Sequence, residues 1–411
     1  MTPSRARSET RGGVPRTVKG LSLVSLFNDF ASEMVYPLLP AFVTRTLGGG
    51  PLMLGLLDGA AELTSSLVKW ISGRLADRPG WQRPLIVGGY ALAVLVRPLI
   101  AGAGSALQVV GLRVADRIGK GARTPPRDAM IAEITPATLR GRSFGFHRAA
   151  DHFGAVLGSI AAWLLLSRGA EVRSVIAWSV IPGVVAFVLL VIVLRAGRTE
   201  PRVSRERDER KARAGELGPL SRQFVHQSTG FWPPLFALTA LTFFRLPEAL
   251  LILRLQDGGV AVAAIPLVWA GLHVVRSASS YPGGWLSDRL GPRRVVAAGG
   301  LLFAGVAVML GIELIPAQAI ALFLALGLVA GLTEPGERAV VARLAPIRVG
   351  RGFGSYHALV GAAALPAGLI FGALYQSGGG RTALWSSAAG MTLAVIAWLL
   401  VSPSEKDRQI S

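Results

Sequence analysis

A charged loop motif occurs twice in this sequence, each time between two long apolar segments. The first copy covers residues 73–83 (GRLADRPGWQR) and the second covers residues 284–294 (GWLSDRLGPRR), so the two copies lie 211 positions apart. The correspondence continues from the glycine pair at 88–89 to the pair at 299–300. Self-similarity over this distance predicts a chain built from two similar halves, and such repeats of apolar segments are typical of membrane-embedded bundles.

The composition supports a membrane-embedded chain of helices. Of the 411 residues, 51% are hydrophobic and 16% are charged, and the mean hydropathy is +0.50. These values are too apolar for an ordinary soluble domain. A helix needs about 20 mostly apolar residues to cross a bilayer, so this length holds about twelve spans with short connections. We therefore predict an all-α integral membrane protein with twelve transmembrane helices.

Changes in composition divide the chain into five predicted regions. The basic N-terminal stretch is not followed by a short apolar region with a cleavage site, which argues against a signal peptide. A stretch dense in charges of both signs separates the apolar halves, as is typical of a solvated linker. The predicted regions are a basic cytoplasmic tail (1–19), an N-terminal six-helix bundle (20–195), a cytoplasmic linker (196–230), a C-terminal six-helix bundle (231–402) and a cytoplasmic tail (403–411).

The net charge of +19 comes from lysine and arginine that cluster in particular loops. In a soluble protein this excess would suggest nucleic-acid binding, but in a membrane protein it marks the cytoplasmic side. The first tail and the loops at 73–83, 140–142 and 289–294 fall on one side when the spans alternate. We therefore predict a multi-pass protein of the cytoplasmic (inner) membrane, with both termini in the cytoplasm and no nucleic-acid partner.

The repeated loop pattern G-x-L-x-D-R-x-G-x-x-R and the long basic central loop resemble the major facilitator superfamily, in its bacterial branch of drug and metabolite exporters. The resemblance implies two pseudo-symmetric six-helix bundles around a cavity that opens to alternate sides. It also implies that the motif aspartate caps a neighbouring helix and pairs with arginine, which closes the cytoplasmic side. The alternative is that the motif is only a topology signal. The residues matched to this cytoplasmic gate are Gly73, Asp77, Arg78, Arg83, Gly284, Asp288, Arg289, Arg293 and Arg294.

The predicted fourth span carries more charges than a lipid-facing helix can hold. Its residues 113–128 (RVADRIGKGARTPPRD) resemble a run found in a bacterial branch of the same superfamily. Arg113, Arg117 and Lys120 share one stripe, because they lie four and seven positions apart. We expect this stripe to face carboxylates of the first two spans. Three further residues of the run are assigned to the cytoplasmic gate: Arg123, Arg127 and Asp128.

Carboxylates inside the first two spans are the best candidates for proton transfer. Asp29 and Glu33 are four positions apart, and so are Asp58 and Glu62, so each pair shares a helix face. An ionised group near the middle of a bilayer costs about 3 kcal/mol or more unless it is paired, solvated or protonated. Two interpretations stay open: the charges neutralise one another structurally, or one carboxylate, with Glu33 favoured, carries a proton. The predicted proton-coupling and cavity residues are Asp29, Glu33, Asp58, Glu62, Arg113, Asp116, Arg117, Lys120, His147 and Asp151.

The second half contains fewer charges within its spans, which suggests that ion coupling resides in the first half. Arg245 or Arg276 would suit an anionic substrate. Alternatively, Arg245 pairs with Glu248, three positions later. A lone histidine such as His357 is more often a hydrogen-bonded core residue than a ligand. The residues predicted to line the substrate cavity in this half are Arg245, Glu248, His273, Arg276, Glu334 and His357.

These features predict a proton-coupled secondary transporter that works by alternating access and exports a small organic or amphipathic compound. The alternatives are a carrier of an anionic metabolite or metal chelate, a lipid flippase, and a transporter-like sensor. An enzyme is not expected, because the chain has no phosphate-binding glycine loop, no cysteine and no zinc-ligand spacing. We expect membrane lipid, protons and a small-molecule substrate as partners, no cofactor or metal, and a monomeric protein.

Overall fold

The computed structural model describes residues 14–76, 78–136, 139–196, 232–344 and 349–402. Within these ranges the chain is helical and contains no strand, which confirms the all-α class. The first helix begins at Arg16, so it includes the last residues of the predicted basic tail. Asp77, most of both predicted tails and nearly all of the predicted linker lie outside the described residues.

The N-terminal half begins with a helix that becomes irregular after Val35. Short helical turns at Tyr36–Leu38, Leu39–Ala41 and Phe42–Thr46 extend it, because Pro37 and Pro40 each remove a backbone donor. The helices of this half are α1 (Arg16–Val35), α2 (Pro51–Ala76), α3 (Gln82–Ala101), α4 (Ala106–Ile134), α5 (Arg140–Ser167), α6 (Val172–Trp178) and α7 (Val180–Ala196).

The C-terminal half contains two interruptions. Residues 244–247 separate its first two helices, and Gly379 breaks the last one with φ 74° and ψ 175°. The helices are α8 (Trp232–Phe243), α9 (Glu248–Asp257), α10 (Ile265–Leu290), α11 (Pro292–Leu310), α12 (Pro316–Leu344) and α13 (Val349–Val401).

Among the residues that the structure describes, eight helical stretches are long and apolar enough to cross a membrane. One of them, Gly354–Val401, has 48 residues and contains the break at Gly379, so it is long enough to cross twice. The charge-rich helices α1, α2 and α4 are not among the eight. Their charges lie largely inside the bundle, as the next subsection describes. The predicted number of twelve spans is compatible with this arrangement and stays a prediction.

Short connections reverse the chain direction from one membrane-length stretch to the next, whereas α6 continues into α7 and α8 into α9 within one stretch. Ser105 caps α4, since its hydroxyl accepts a hydrogen bond from the Gln108 N–H at 3.3 Å. Gly291 joins α10 to α11 at φ 82°, a left-handed conformation that favours glycine. The alternation brings Val14, Ser402 and both motif loops to the same end of the molecule, which we name the motif end. The other end is named the opposite end.

The two halves approach most closely where α2 crosses α13, near the opposite end. A side chain on Gly55 would come within 1.9 Å of the Gly368 carbonyl oxygen, so only glycine permits this contact. A second crossing joins α5 to α10, where the rings of His152 and His273 are 6.5 Å apart. The hydrogen bond from the Leu52 N–H to the Gln376 side chain adds a third contact at the opposite end. The structure is therefore closed at the opposite end.

Candidate functional site

Glu33 lies at the interface between the halves, and its partners come from α10. The indole N–H of Trp269 donates to Glu33 Oε2 at 2.8 Å, and Nε2 of His273 lies 3.8 Å from the same oxygen. The rings of Trp269 and His273 are 5.2 Å apart and nearly perpendicular, and the Tyr36 ring also lies 5.2 Å from the indole. The basic stripe of α4 does face carboxylates of α1 and α2, since Lys120 interacts electrostatically with Asp29 and Glu33, but it forms no ion pair with Glu33. Within the described residues, no arginine or lysine nitrogen lies within 4.0 Å of this carboxylate.

Asp58 forms a second contact between the halves. Its carboxylate accepts hydrogen bonds from the Tyr36 hydroxyl at 3.1 and 3.2 Å and from the Ala249 N–H at 2.9 Å. Ala249 lies in the first turn of α9, where backbone N–H groups have no partner within the helix. A carboxylate at this position is also stabilised by the helix dipole. Asp58 therefore joins the N-terminal half to the start of α9.

The other predicted carboxylates of α1 and α2 make local contacts. Asp29 is partly buried and accepts a hydrogen bond from the Asn28 side chain at 3.0 Å. Glu62 is exposed and accepts a hydrogen bond from the Ser66 hydroxyl at 3.3 Å. Lys120 is likewise exposed, so it remains accessible from outside the protein core.

Asp116 is the most deeply buried of the predicted acidic residues. Its side chain is 2% exposed, and three arginines lie around it: Arg97 at 2.9 Å, Arg113 at 3.5 Å and Arg117 at 3.5 Å. Arg113 and Arg117 of the predicted stripe thus pair with a carboxylate of their own helix, and they also interact electrostatically with Asp58 of α2. Arg97, which is not among the predicted site residues, also donates to the Asn28 carbonyl at 2.9 Å. This cluster ties α3 and α4 to α1.

Arginine 113 also connects this cluster to the interface. Its guanidinium lies 4.7 Å from the centre of the Tyr36 ring, which is within the range of a cation–π interaction. The Tyr36 hydroxyl in turn donates to Asp58. A continuous set of contacts therefore runs from the buried arginine cluster through Tyr36 to α9 of the other half.

The remaining predicted residues of α4 and α5 make contacts inside the N-terminal half. Arg123 donates to the Gly89 carbonyl at 3.3 Å, and Arg127 donates to the Ser25 hydroxyl at 2.9 Å and pairs with Asp128 at 3.1 Å. His147 and Asp151 do share a face, with 3.7 Å between Nε2 and Oδ1. These contacts fasten α4 to α1 and α3, and they do not reach the C-terminal half.

The predicted cavity residues of the C-terminal half are partly brought together. Arg245, Glu248, Arg276 and Glu334 line one pocket, and Arg276 is bonded to Glu334. The alternative pairing of Arg245 with Glu248 was wrong, because Arg245 bonds to Glu337 at 3.4 Å. Glu337 also accepts a hydrogen bond from the Tyr356 hydroxyl at 2.7 Å, a contact that sequence reasoning missed. His273 faces Glu33 instead, and the exposed His357 packs against Tyr356 at 5.4 Å.

The two motif loops occupy equivalent places. Gly73 faces Pro125 and Gly284 faces Pro335, each at ordinary contact distance. Asp77 lies outside the described residues, whereas Asp288 is exposed and pairs with no arginine in the part of the chain that is described. Two motif arginines make other contacts: Arg289 lies over the Trp285 ring at 4.2 Å, and Arg293 donates to the Leu399 carbonyl. Of the remaining motif arginines, Arg83 is partly buried, and Arg78 and Arg294 are exposed. The described residues contain no cluster of three or more His, Cys, Asp or Glu that would hold a metal ion.

The arrangement of two helical halves with repeated loops agrees with a sequence comparison. The chain matches the profile of the Major Facilitator Superfamily over residues 21–275 and 249–411. The chain belongs to this superfamily. It is thus a membrane-embedded transporter of the superfamily, which makes a lipid environment and a small-molecule substrate part of its biology.

Relatives and solved structures agree with this membership. An uncharacterised MFS-type transporter of Methanocaldococcus jannaschii is 29% identical over 93% of each chain. The multi-drug resistance efflux pump PmrA of Streptococcus pneumoniae is 29% identical over 150 residues, which is 36% of this chain and 37% of that protein. Among solved structures, a D-xylose–proton symporter superimposes with a TM-score of 0.74 at 15% identity, covering 94% of this chain and 97% of the symporter. This last likeness concerns the fold.

Proposed function

We propose that this superfamily member is a proton-coupled secondary transporter that works by alternating access and exports a small organic or amphipathic compound across the inner membrane. The observation that carries the proposal is the position of Glu33. Its carboxylate belongs to α1, yet its partners Trp269 and His273 belong to α10 of the other half. A group whose contacts join two moving bodies has different surroundings in the two states, which is the requirement for a coupling site.

The surroundings of Glu33 also suit proton exchange. The Trp269 indole N–H donates to the carboxylate and the His273 ring lies 3.8 Å away, so protonation of Glu33 leaves no buried arginine without an ion-pair partner. Asp116 differs, because three arginines depend on it. Breaking a buried ion pair in this way costs several kcal/mol. We therefore assign the proton to Glu33 and a structural role to Asp116.

The contacts that close the opposite end support alternating access. If the basic loops mark the cytoplasmic side, the opposite end faces outward and the structure is an inward-facing state. Asp288, which forms no ion pair with a described residue, would then pair only when the motif loops close in the other state. Exposed Glu62 and Lys120 would face the cytoplasmic opening. The partial similarity to a multi-drug efflux pump supports export.

A second candidate function is the carriage of an anionic metabolite or metal chelate. The excess of arginine around Asp116 favours it, since one carboxylate does not neutralise three guanidinium groups. Against it, Arg113 and Arg117 are almost buried, with side chains 7% and 11% exposed. An anion would therefore have to open the cluster before it could bind.

Proteoliposomes that contain a pH-sensitive dye test the proposal. Compound pools are added under an imposed pH gradient, and proton flux is recorded for the parent chain and for Glu33→Gln, with Glu313→Gln as the matched control in an exposed loop. We expect compound-dependent proton flux that Glu33→Gln abolishes and Glu313→Gln retains. Flux that survives in Glu33→Gln would reject Glu33 as the carrier. Movement of a labelled chelate or lipid without proton flux would reject proton coupling.

A further inference from the structure

A pocket of about 530 Å³, part of it open to solvent, lies inside the C-terminal half. Helices α9, α10, α11 and α12 all contribute to it. Its inner wall is apolar and includes Leu251, Leu272, Phe303 and Phe323. Charged side chains occupy its lining beside this wall: Arg245, Glu248, Arg276 and Glu334. A concave apolar wall with a few polar groups is the usual form of a small-molecule site.

The pocket is next to a break in the backbone. Helix α8 ends at Phe243 and α9 begins at Glu248, and both Arg245 and Leu246 of the intervening segment line the pocket. Non-helical backbone at membrane depth is tolerated where it is buried in protein or lines a cavity. Discontinuous helices of this kind form the substrate sites of several transporter folds. The position of the break therefore agrees with a ligand site in this pocket.

The charges at the pocket offer both signs to a ligand. Arg276 contacts Glu334 and lies 3.9 Å from Glu248, so the arginine stands between two carboxylates. The Arg276 side chain is 31% exposed and the Glu248 side chain is 49% exposed, so neither is fully engaged. A purely cationic ligand would meet Arg276, and a purely anionic ligand would meet Glu248. A ligand that carries one charge of each sign satisfies both residues.

We propose that this pocket binds a small zwitterion with an apolar group, of the kind represented by an apolar α-amino acid. The ligand's carboxylate lies against Arg276, its ammonium group lies against Glu248, and its apolar group occupies the wall formed by Leu251 and Phe323. This assignment rests on the proposed transport function and names the substrate class for it. It places the ligand within one half of the molecule and not on the axis between the halves.

Three probes with the same apolar group and different charges test the assignment. L-Phenylalanine is the zwitterion, phenethylamine lacks its carboxylate, and 3-phenylpropanoate lacks its ammonium group. Binding to the purified full chain in detergent is measured by isothermal titration calorimetry. We expect saturable binding of phenylalanine, with each single-charge analogue weaker by about tenfold or more, because each lacks one charge-assisted contact.

Two variants locate the site. Glu248→Gln removes the partner of the ammonium group at a half-exposed position, so we expect phenylalanine to lose its advantage over 3-phenylpropanoate. Ala330→Leu places extra atoms in the pocket, so we expect all phenylalanine binding to weaken. Glu313→Gln is the matched control outside the pocket and should bind as the parent does. The thermal unfolding midpoint of each variant confirms that it is folded before binding is compared.

Several outcomes would overturn the assignment. It fails if an analogue with a single charge binds as tightly as phenylalanine, if none of the three probes binds saturably, or if Ala330→Leu binds phenylalanine unchanged. The calorimetry is independent of proton movement, so it separates this assignment from the proposed function. Phenylalanine binding without proton flux in proteoliposomes would retain the site and reject proton coupling. Proton flux with other compounds, in the absence of phenylalanine binding, would retain proton coupling and reject the site.

Discussion

Removal of the Asp58 carboxylate should shift the molecule away from the conformation seen here. Asp58 accepts hydrogen bonds from the Tyr36 hydroxyl and from the Ala249 N–H at the start of α9, and only the second bond crosses between the halves. Hydrogen bonds to charged groups contribute about 1.5 to 3 kcal/mol, and a helix N-terminus adds up to about 1 kcal/mol at an exposed site. We therefore expect Asp58→Ala to remove about 2 to 3 kcal/mol of the free energy that stabilises the closed opposite end. Since 1.4 kcal/mol corresponds to a factor of ten, the equilibrium should move by about 25- to 150-fold toward a state open at the opposite end.

Pulsed dipolar electron paramagnetic resonance can measure this shift directly. The chain has no cysteine, so spin labels can be placed at Thr46→Cys and Ser377→Cys without removing native thiols. Both positions are exposed and lie at the opposite end, one in each half. We expect one short distance in the parent chain and a second, longer population in Asp58→Ala. Asp58→Asn keeps an acceptor oxygen but loses the charge, so its longer population should be smaller.

A matched control comes from the same end of the molecule. Asp257 accepts a hydrogen bond from the Tyr375 hydroxyl at 2.5 Å, but both residues belong to the C-terminal half. Asp257→Ala therefore removes a similar tyrosine–carboxylate bond without touching the interface. If Asp58→Ala shows the parent's distance distribution, or if Asp257→Ala shifts it equally, the bond between Asp58 and α9 does not hold this end closed.

Two further predictions concern stability. Gly158→Ala should lower the free energy of unfolding by about 1 to 3 kcal/mol, because its Cβ would lie 2.2 Å from the Phe30 carbonyl oxygen. Thermal unfolding in detergent measures this loss. Gly145→Ala on the same helix is the control and should show no comparable loss, because its Cβ meets nothing within 4 Å. Asp116→Asn should destabilise the protein by about 3 to 5 kcal/mol, because two buried arginines and the almost buried Arg117 lose their carboxylate. Equal yield and unfolding temperature for Asp116→Asn and Asp128→Asn, whose side chain is 33% exposed, would contradict that reasoning.

Sequence reasoning predicted the fold because the evidence for it is repeated along the chain. The duplicated loops and the apolar segments indicate helix direction and the two halves without any knowledge of packing. The partner of Glu33 could not be predicted in the same way. A spacing of four residues shows which side chains share a face of α1, but it does not show which helix that face meets. Arg97 was not among the predicted site residues, although a single arginine in an apolar span is itself a signal that a buried carboxylate lies nearby.

The error about Arg245 had a signal in the sequence. Pairing Arg245 with Glu248 assumed that both residues lie on one continuous helix. Pro247 lies between them, and the residue before a proline is disfavoured in the helical conformation. The helix breaks at residues 244–247, so Arg245 turns toward Glu337 while Glu248 begins α9. Pro247 was thus a signal against the pairing of Arg245 with Glu248, and the same proline indicated the helix break that lines the pocket.

The position of the pocket within one half has a consequence for coupling. A ligand shifts a conformational equilibrium only by its difference in affinity for the two states, and a site inside one rigid body has the same contacts in both. The difference must therefore come from an element shared with the interface. Helix α10 is that element, because Leu272 and Arg276 line the pocket while Trp269 and His273, on adjoining positions of the same helix, hold Glu33. We therefore expect a ligand that draws Arg276 away from Glu334 to change the contact between α10 and Glu33, and protonation of Glu33 to change the same contact from the side of α1.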